Sequence, residues 1–188
     1  MKSMTKRILA ALLAALTLLA LAGCGASSKA SSTSKDYSKI LHDARPDEDN
    51  EYYMIFTKGD DGKFTAQDGY SDQYDADQLD EEIRNMLLPL LNLEDDMYTD
   101  FAASVSGMMV QSYGIAIVKP AEGKQQAVFD ALDAYVQSQL QSMEHYLEDQ
   151  YQIAAAAHIS TAPTGEVILV CCENSEAVLS AIKTALAA

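Results

Sequence analysis

Val167-Ile168-Leu169-Val170-Cys171-Cys172 is apolar without alternation. A run with no polar face has no side to turn to water, so it belongs in the middle of a sheet covered on both faces. The turn formers Ala162-Pro163-Thr164-Gly165 precede it, and Gln152 to Thr161 before them reads as its hairpin partner. After it, Asn174 or Ser175 caps a final helix with Val178, Ile182 and Ala185 inward and Lys183 near the C-terminal end. Upstream, Met108 to Val118 reads as a strand that Lys119-Pro120 ends.

Between these strands lies a long helical pattern from Glu122 to Glu148. Phe129, Leu132, Val136, Leu140, Met143 and Leu147 recur every three or four residues, and Asp130, Asp133, Gln137, Gln141 and Glu144 oppose them. At 1.5 Å per residue such a helix is about 40 Å long, more than the sheet alone covers, so the N-terminal helices are expected to cover the rest. The order strand, helix, strand, strand, helix places the 167–172 strand between the other two. The fold class is α+β: a small antiparallel or mixed sheet, a long central helix and additional N-terminal helices.

The N-terminal half is less regular. Tyr37, Ile40, Leu41 and Ala44 share one face of a short helix that Pro46 follows. The β-rich run Tyr52 to Thr57 stops at Gly59-Asp60-Asp61-Gly62, with Phe64 and Thr65 able to close a hairpin. Gln67 to Asp77 reads as an exposed acidic loop. Asp77 then caps a helix carrying Leu79, Ile83, Met86, Leu87 and Leu90, which Pro89 ends or kinks. From Glu94, the spacing of Tyr98, Phe101, Ala102 and Val105 predicts a second short helix, closed by Gly107.

The chain opens with Lys2, Lys6 and Arg7, an apolar run from Ile8, and then Leu21-Ala22-Gly23-Cys24. Basic head, apolar middle and small residues before a cleavage point make a secretory signal. The run is too short for a comfortable membrane span of about 20 residues. The cysteine just after the small residues makes this signal resemble that of bacterial lipoproteins. The resemblance implies diacylglyceryl modification of Cys24 and cleavage before it. Two acyl chains, at about 0.8 kcal/mol per buried methylene, anchor a protein stably. The expected organisation is a signal peptide over residues 1–23, a lipidated Cys24 with a Ser- and Ala-rich tether to residue 35, and one domain over 36–188. The tether reaches on the order of 20 Å. The expected location is the outer face of the cytoplasmic membrane, the membrane partner being reached through Cys24.

Of the 188 residues, 13 are basic and 28 acidic. Residues 24–188 keep all 28 acids and 10 of the bases, a net charge of −18. Such a charge repels nucleic acid and anionic head groups. With Cys24 lipidated, only the adjacent Cys171 and Cys172 remain; a bridge between neighbours is strained, so two buried thiols are expected.

Stretches of the chain also resemble an uncharacterised Gram-positive lipoprotein family, the domain of unknown function numbered 4358. They are Ala44-Arg45-Pro46-Asp47-Glu48-Asp49-Asn50-Glu51, Gly114-Ile115-Ala116-Ile117-Val118-Lys119-Pro120, Tyr146-Leu147-Glu148-Asp149-Gln150-Tyr151 and Val167-Ile168-Leu169-Val170. The resemblance spans roughly Asp36 to Leu186. It implies a lipoprotein with one domain and brings no catalytic or binding residue with it.

No cofactor, metal site or catalytic constellation is read from the sequence. His42, His145 and His158 are scattered, with no His-Glu-x-x-His helix or cysteine spacing for zinc. There is no Gly-x-Ser-x-Gly elbow, and a thiol of Cys171 or Cys172 in an apolar strand is inert despite His158. The acidic turns lack the ligand spacing of a calcium loop. The stretch from Arg45 to Glu51 stands out, an Arg among acids just after a helix. It makes Arg45, Glu48 and Asn50 a candidate ligand or partner surface, or else an ion-pair network locking helix to strand, the reading favoured here. The expected function is a non-catalytic binding module of the envelope, with an envelope protein or small ligand as partner. The alternatives are a hydrolase using a carboxylate pair or a small solute-binding accessory protein.

Overall fold

The computed structural model describes residues 35–188; the signal, Cys24 and the tether before residue 35 lie outside them. The elements are α1 (Tyr37–Ala44), α2 (Asp47–Tyr52), β1 (Ile55–Lys58), β2 (Phe64–Gln67), α3 (Ala76–Glu82), β3 (Tyr98–Val105), β4 (Gly114–Pro120), α4 (Gln125–Met143), α5 (Glu148–Ala155), β5 (His158–Thr161), β6 (Val167–Cys171) and α6 (Ser175–Ala187). The fold is α+β. All strand pairs are antiparallel, in the order β2-β1-β3-β4-β6-β5. As the apolar run implied, β6 lies between β4 and β5 and all five of its residues are buried.

Both faces of the sheet are covered, and alternation sorts its side chains between two cores. Phe56, Phe101, Ala103, Val118, Leu169 and Cys171 join one core with residues of α3, α4 and α5. Ile55, Ala102, Ile117, Ile168, Val170 and Cys172 join the other with α1 and α6. Burying each such large apolar side chain contributes about 1.5–3 kcal/mol, so the sheet interior dominates the stability.

The segment expected as a second short helix is instead β3, a central strand. The reason is a β-bulge: Tyr98 pairs with Pro120, Asp100 with Lys119 and Phe101 with Val118, leaving Thr99 as the extra residue. The bulge brings Tyr98 and Phe101 to the same face, so their three-residue separation imitates a helical stripe. Beyond it, strict alternation returns: Phe101, Ala103 and Val105 enter one core and Ala102 the other.

Other boundaries differ too. The strand before Pro120 begins at Gly114, and Met108 to Gln111 form an exposed turn. The long helix stops at Met143, about 28 Å, and a separate helix, α5, occupies residues expected to start a strand. Pro46 is followed at once by the six-residue α2, which takes in Tyr52, so the strand expected from Tyr52 begins at Ile55. Asp75, not Asp77, caps α3, in a reciprocal capping box with Gln78. A π turn over Ile83–Leu87 and a 3-10 turn over Leu88–Leu91 then carry the chain past Pro89. In α6 it is Leu186, with Val178 and Ile182, that is buried in place of Ala185.

The sheet has two distinct ends. At one, β6 starts, and Tyr37 at the head of α1 donates to the Glu166 carboxylate at 2.9 Å. Lys35 there donates to the Leu186 carbonyl at the foot of α6. At the other end β1 and β4 begin and β3 and β6 finish. With 13 residues, α6 separates Asn174 from Leu186 by about 20 Å, so residue 35 and the far end of the sheet are on opposite sides of the domain.

Candidate functional site

At the far end α1 stops because Pro46 cannot continue it, and the residue before that proline, Arg45, takes an extended backbone. Its side chain is thereby turned inward and is fully buried. Nε donates to Asn50 Oδ1 at 2.5 Å, Nη1 to Ser104 Oγ at 2.7 Å and to Tyr113 OH at 3.2 Å, and Nη2 to the Tyr53 carbonyl at 2.7 Å. Nη2 also lies 3.5 Å from Asp68 Oδ2, which His42 Nδ1 meets at 2.8 Å. Asn50 closes the loop by donating to the His42 carbonyl at 3.1 Å. One guanidinium thus ties α1, α2, β1, β3 and β4 together.

Two close approaches hold this arrangement. Gly69, at φ +50°, accepts the chain entering β1 so tightly that a Cβ there would fall 2.8 Å from Met54 N and Tyr53 C. Gly114 leaves space for Tyr135, whose ring would be 2.6–2.7 Å from a Cβ and whose hydroxyl donates to the Tyr113 carbonyl at 2.8 Å. Tyr113 is fixed in turn by stacking on Tyr53, with ring centroids 3.8 Å apart and planes 11° from parallel.

Above this floor opens a cleft of about 400 Å³. Its lining comes from α2 (Glu48, Asp49, Tyr52, with Pro46 and Tyr53 flanking), from Gln111–Tyr113 before β4, from Gln150 and Ile153 of α5, and from Cys172–Asn174 after β6. A shallower depression shares Ile153, Cys172, Glu173 and Asn174 and continues along the start of α6 to His158. Burial raises the Asp49 carboxyl pKa, the Tyr113 hydroxyl and Arg45 oppose the rise, and Glu173 and Glu48 add to it; the balance is above the ordinary carboxylate value. Ser112 is 2% exposed, and its hydroxyl has no hydrogen-bond partner among the described residues. The Cys172 thiol is pushed up to about 12, mainly by burial.

Residues 71–172 match the family described as a domain of unknown function, DUF4358. The chain belongs to the DUF4358 family. No curated protein and no solved structure matches it. The DUF4358 match includes β3 to β6 and, from the cleft, Gln111–Tyr113, Gln150, Ile153 and Cys172. It is narrower than the resemblance read from the sequence: Arg45 and Asp49 lie well before it and Glu173 just after it.

The structure separates the candidate residues of this DUF4358 domain. Arg45 and Asn50 form the buried network, while Glu48 lines the cleft and makes no hydrogen bond to Arg45. Cys24 lies outside the described residues. Cys171 and Cys172 are both buried and unbridged among those residues, and the Cys171 thiol is likewise pushed up to about 12 by burial. Asp49, Tyr52, Ser112 and Glu173 were not singled out from sequence. They are brought together from three short segments, and the only local signal is the acidic stretch around Arg45. No three His, Cys, Asp or Glu side chains among the described residues come close enough to hold a metal ion, and no described helix is long and apolar enough to cross a membrane.

Proposed function

We propose that this DUF4358 protein is a lipid-anchored, non-catalytic binding module on the outer face of the cytoplasmic membrane, and that the cleft above Arg45 is its binding site. The observation that carries this reading is the cleft itself: a concave, largely polar space built on a rigid buried floor. Arg45 is the scaffold of the site and not its ligand contact, because its N–H groups are committed to protein acceptors. Cys172 does not serve as a nucleophile, since burial keeps it a thiol at neutral pH. Residue 35, where the described domain begins, lies at the end opposite the cleft, so attachment through it leaves the cleft free to bind at the membrane surface. A tethered binder gains from raised local concentration there.

Anchoring is tested with Cys24→Ala, which should release the protein into the medium or leave its precursor uncut; processed, membrane-bound variant would end the lipoprotein reading. Binding is tested by pull-down from solubilised membranes with wild type and Glu173→Arg, which fills and recharges the cleft. A partner retained equally by both would exclude the cleft. A second reading, an envelope hydrolase, is favoured by one observation, the raised carboxyl of Asp49 with Glu173 in the same cleft. Turnover of wall fragments by the purified protein, abolished by Asp49→Asn without unfolding, would put the hydrolase in place of the module.

A further inference from the structure

The charge lining the cleft is one-sided. Glu48, Asp49 and Glu173 contribute three carboxylates, and among the described residues no Lys, Arg or His lines the space. Arg45 is sealed beneath the floor with its donors spent on Asn50, Ser104, Tyr113 and the Tyr53 carbonyl. Acidic side chains that merely solvate a surface point into water, but Asp49 is half-buried and held where ionisation is disfavoured. Two further features of the cleft suit a ligand. The Ser112 hydroxyl, on a residue that lines the cleft, is buried without a hydrogen-bond partner among the described residues; buried hydroxyls are ordinarily satisfied. Tyr52, 67% exposed, and Tyr53 bring aromatic rings to the same cleft, and tyrosine faces attract cations.

We propose that the cleft receives an organic cation: an ammonium or guanidinium group on an alkyl stem, with Asp49 and Glu173 as counter-charges, Tyr52 and Tyr53 beside the stem and Ser112 as a hydrogen-bonding partner. This rests on the reading of the cleft as the binding site and names its ligand class. An anion is excluded by the three carboxylates. A bare metal ion is disfavoured because the carboxylates do not converge within coordination distance of one another. About 400 Å³ suits one long basic side chain or a small polyamine. The same chemistry reaches the cleft either as a free solute or as a Lys or Arg of a polypeptide.

The two sources are separated by titrating the whole chain, in mild detergent, with spermidine and with a blocked Lys-rich hexapeptide, followed by calorimetry. Saturable one-to-one binding of at least one probe is expected, weakened tenfold or more by Asp49→Asn and by Glu173→Gln. Tyr52→Ala, at an exposed position that leaves the fold intact, should weaken it several-fold. Asp133→Asn, an exposed acid of α4 outside the cleft, should change nothing, and acetylating the peptide lysines should abolish its binding. Preference for spermidine makes the ligand a solute; preference for the hexapeptide makes it a partner's basic side chain. Failure of both probes to bind, equal binding by the cleft variants, or an equal loss in Asp133→Asn would overturn the proposal. If the cations fail while Glu173→Arg still loses its pull-down partner, the cleft stands as a site and only the cationic ligand falls.

Discussion

The two ends of the sheet each hold a carboxylate, buried at one and half-buried at the other, and they treat it in opposite ways. At the end nearer residue 35, Glu166 accepts from the Tyr37 hydroxyl and from the Thr164 hydroxyl. Burial alone would raise its pKa, but these bonds, its own backbone N–H and the charge of Lys35 outweigh that, and the carboxyl titrates below its ordinary value. At the cleft end, burial and the neighbouring acids win over Tyr113 and Arg45, and Asp49 titrates above its ordinary value. The first end is arranged for stability. The second carries a standing electrostatic cost, which a fold tolerates where a site needs it.

The sharpest way to break this comparison is at Arg45, which lies under the costly end yet is itself fully satisfied. Arg45→Ala leaves Ser104, the Tyr53 carbonyl, Asn50 and Asp68 short of a partner, and should destabilise by about 3–5 kcal/mol in chemical unfolding. A loss below about 1 kcal/mol would mean that the network is not what holds α1 and α2 to the sheet.

Next in size is Tyr37→Phe, expected to cost about 1.5–3 kcal/mol at neutral pH, as for a bond to a charged group. Because the Glu166 carboxyl is lowered on folding, its contribution is present above the unfolded carboxylate value and is lost as pH falls through the folded one. The difference between Tyr37→Phe and wild type should therefore shrink in acid. A pH-independent difference would assign the loss to packing.

Asp49→Asn should act in the reverse sense. A carboxyl raised on folding costs stability that grows as pH rises from the unfolded value through the folded one. The amide should raise the melting temperature slightly at pH 7, with the gain disappearing in acid. Lower stability at pH 7 would show that the Arg45 and Tyr113 contacts outweigh burial, and the contrast between the two ends would disappear.

The smallest expected effect concerns Cys171 and Cys172. With both thiols buried and pushed up to about 12, a thiol reagent at pH 8 should label neither until the protein is denatured. Rapid native labelling of Cys172 would mean that the cleft opens further than its resting shape.

The centre of the sheet was legible because an apolar run such as Val167 to Cys172 has only one comfortable environment. The hairpin after Phe56 and the helix after Asp36 were legible for similar reasons, a turn signal in one and a one-sided apolar face stopped by Pro46 in the other. The β3 strand was not, because its extra residue gave Tyr98 and Phe101 a helical spacing. The cleft was illegible for a different reason. Its walls come from residues 46–53, 111–113, 150–153 and 172–174, each too short to carry a pattern, and only folding gathers them. Arg45 stood out by its charge, but that it points inward depends on Pro46 ending α1 and on Ser104 in β3 and Tyr113 just before β4, both far along the chain.

The bulge at Thr99 also has a meaning for how this chain can vary in length. Anywhere else in β3 a one-residue deletion would turn every later side chain to the wrong core. Removing Thr99 alone would leave Tyr98 and Phe101 two residues apart and still on the same face, opposite Pro120 and Val118. Relatives one residue shorter should therefore carry their gap at Thr99, with an ordinary ladder where this chain is kinked.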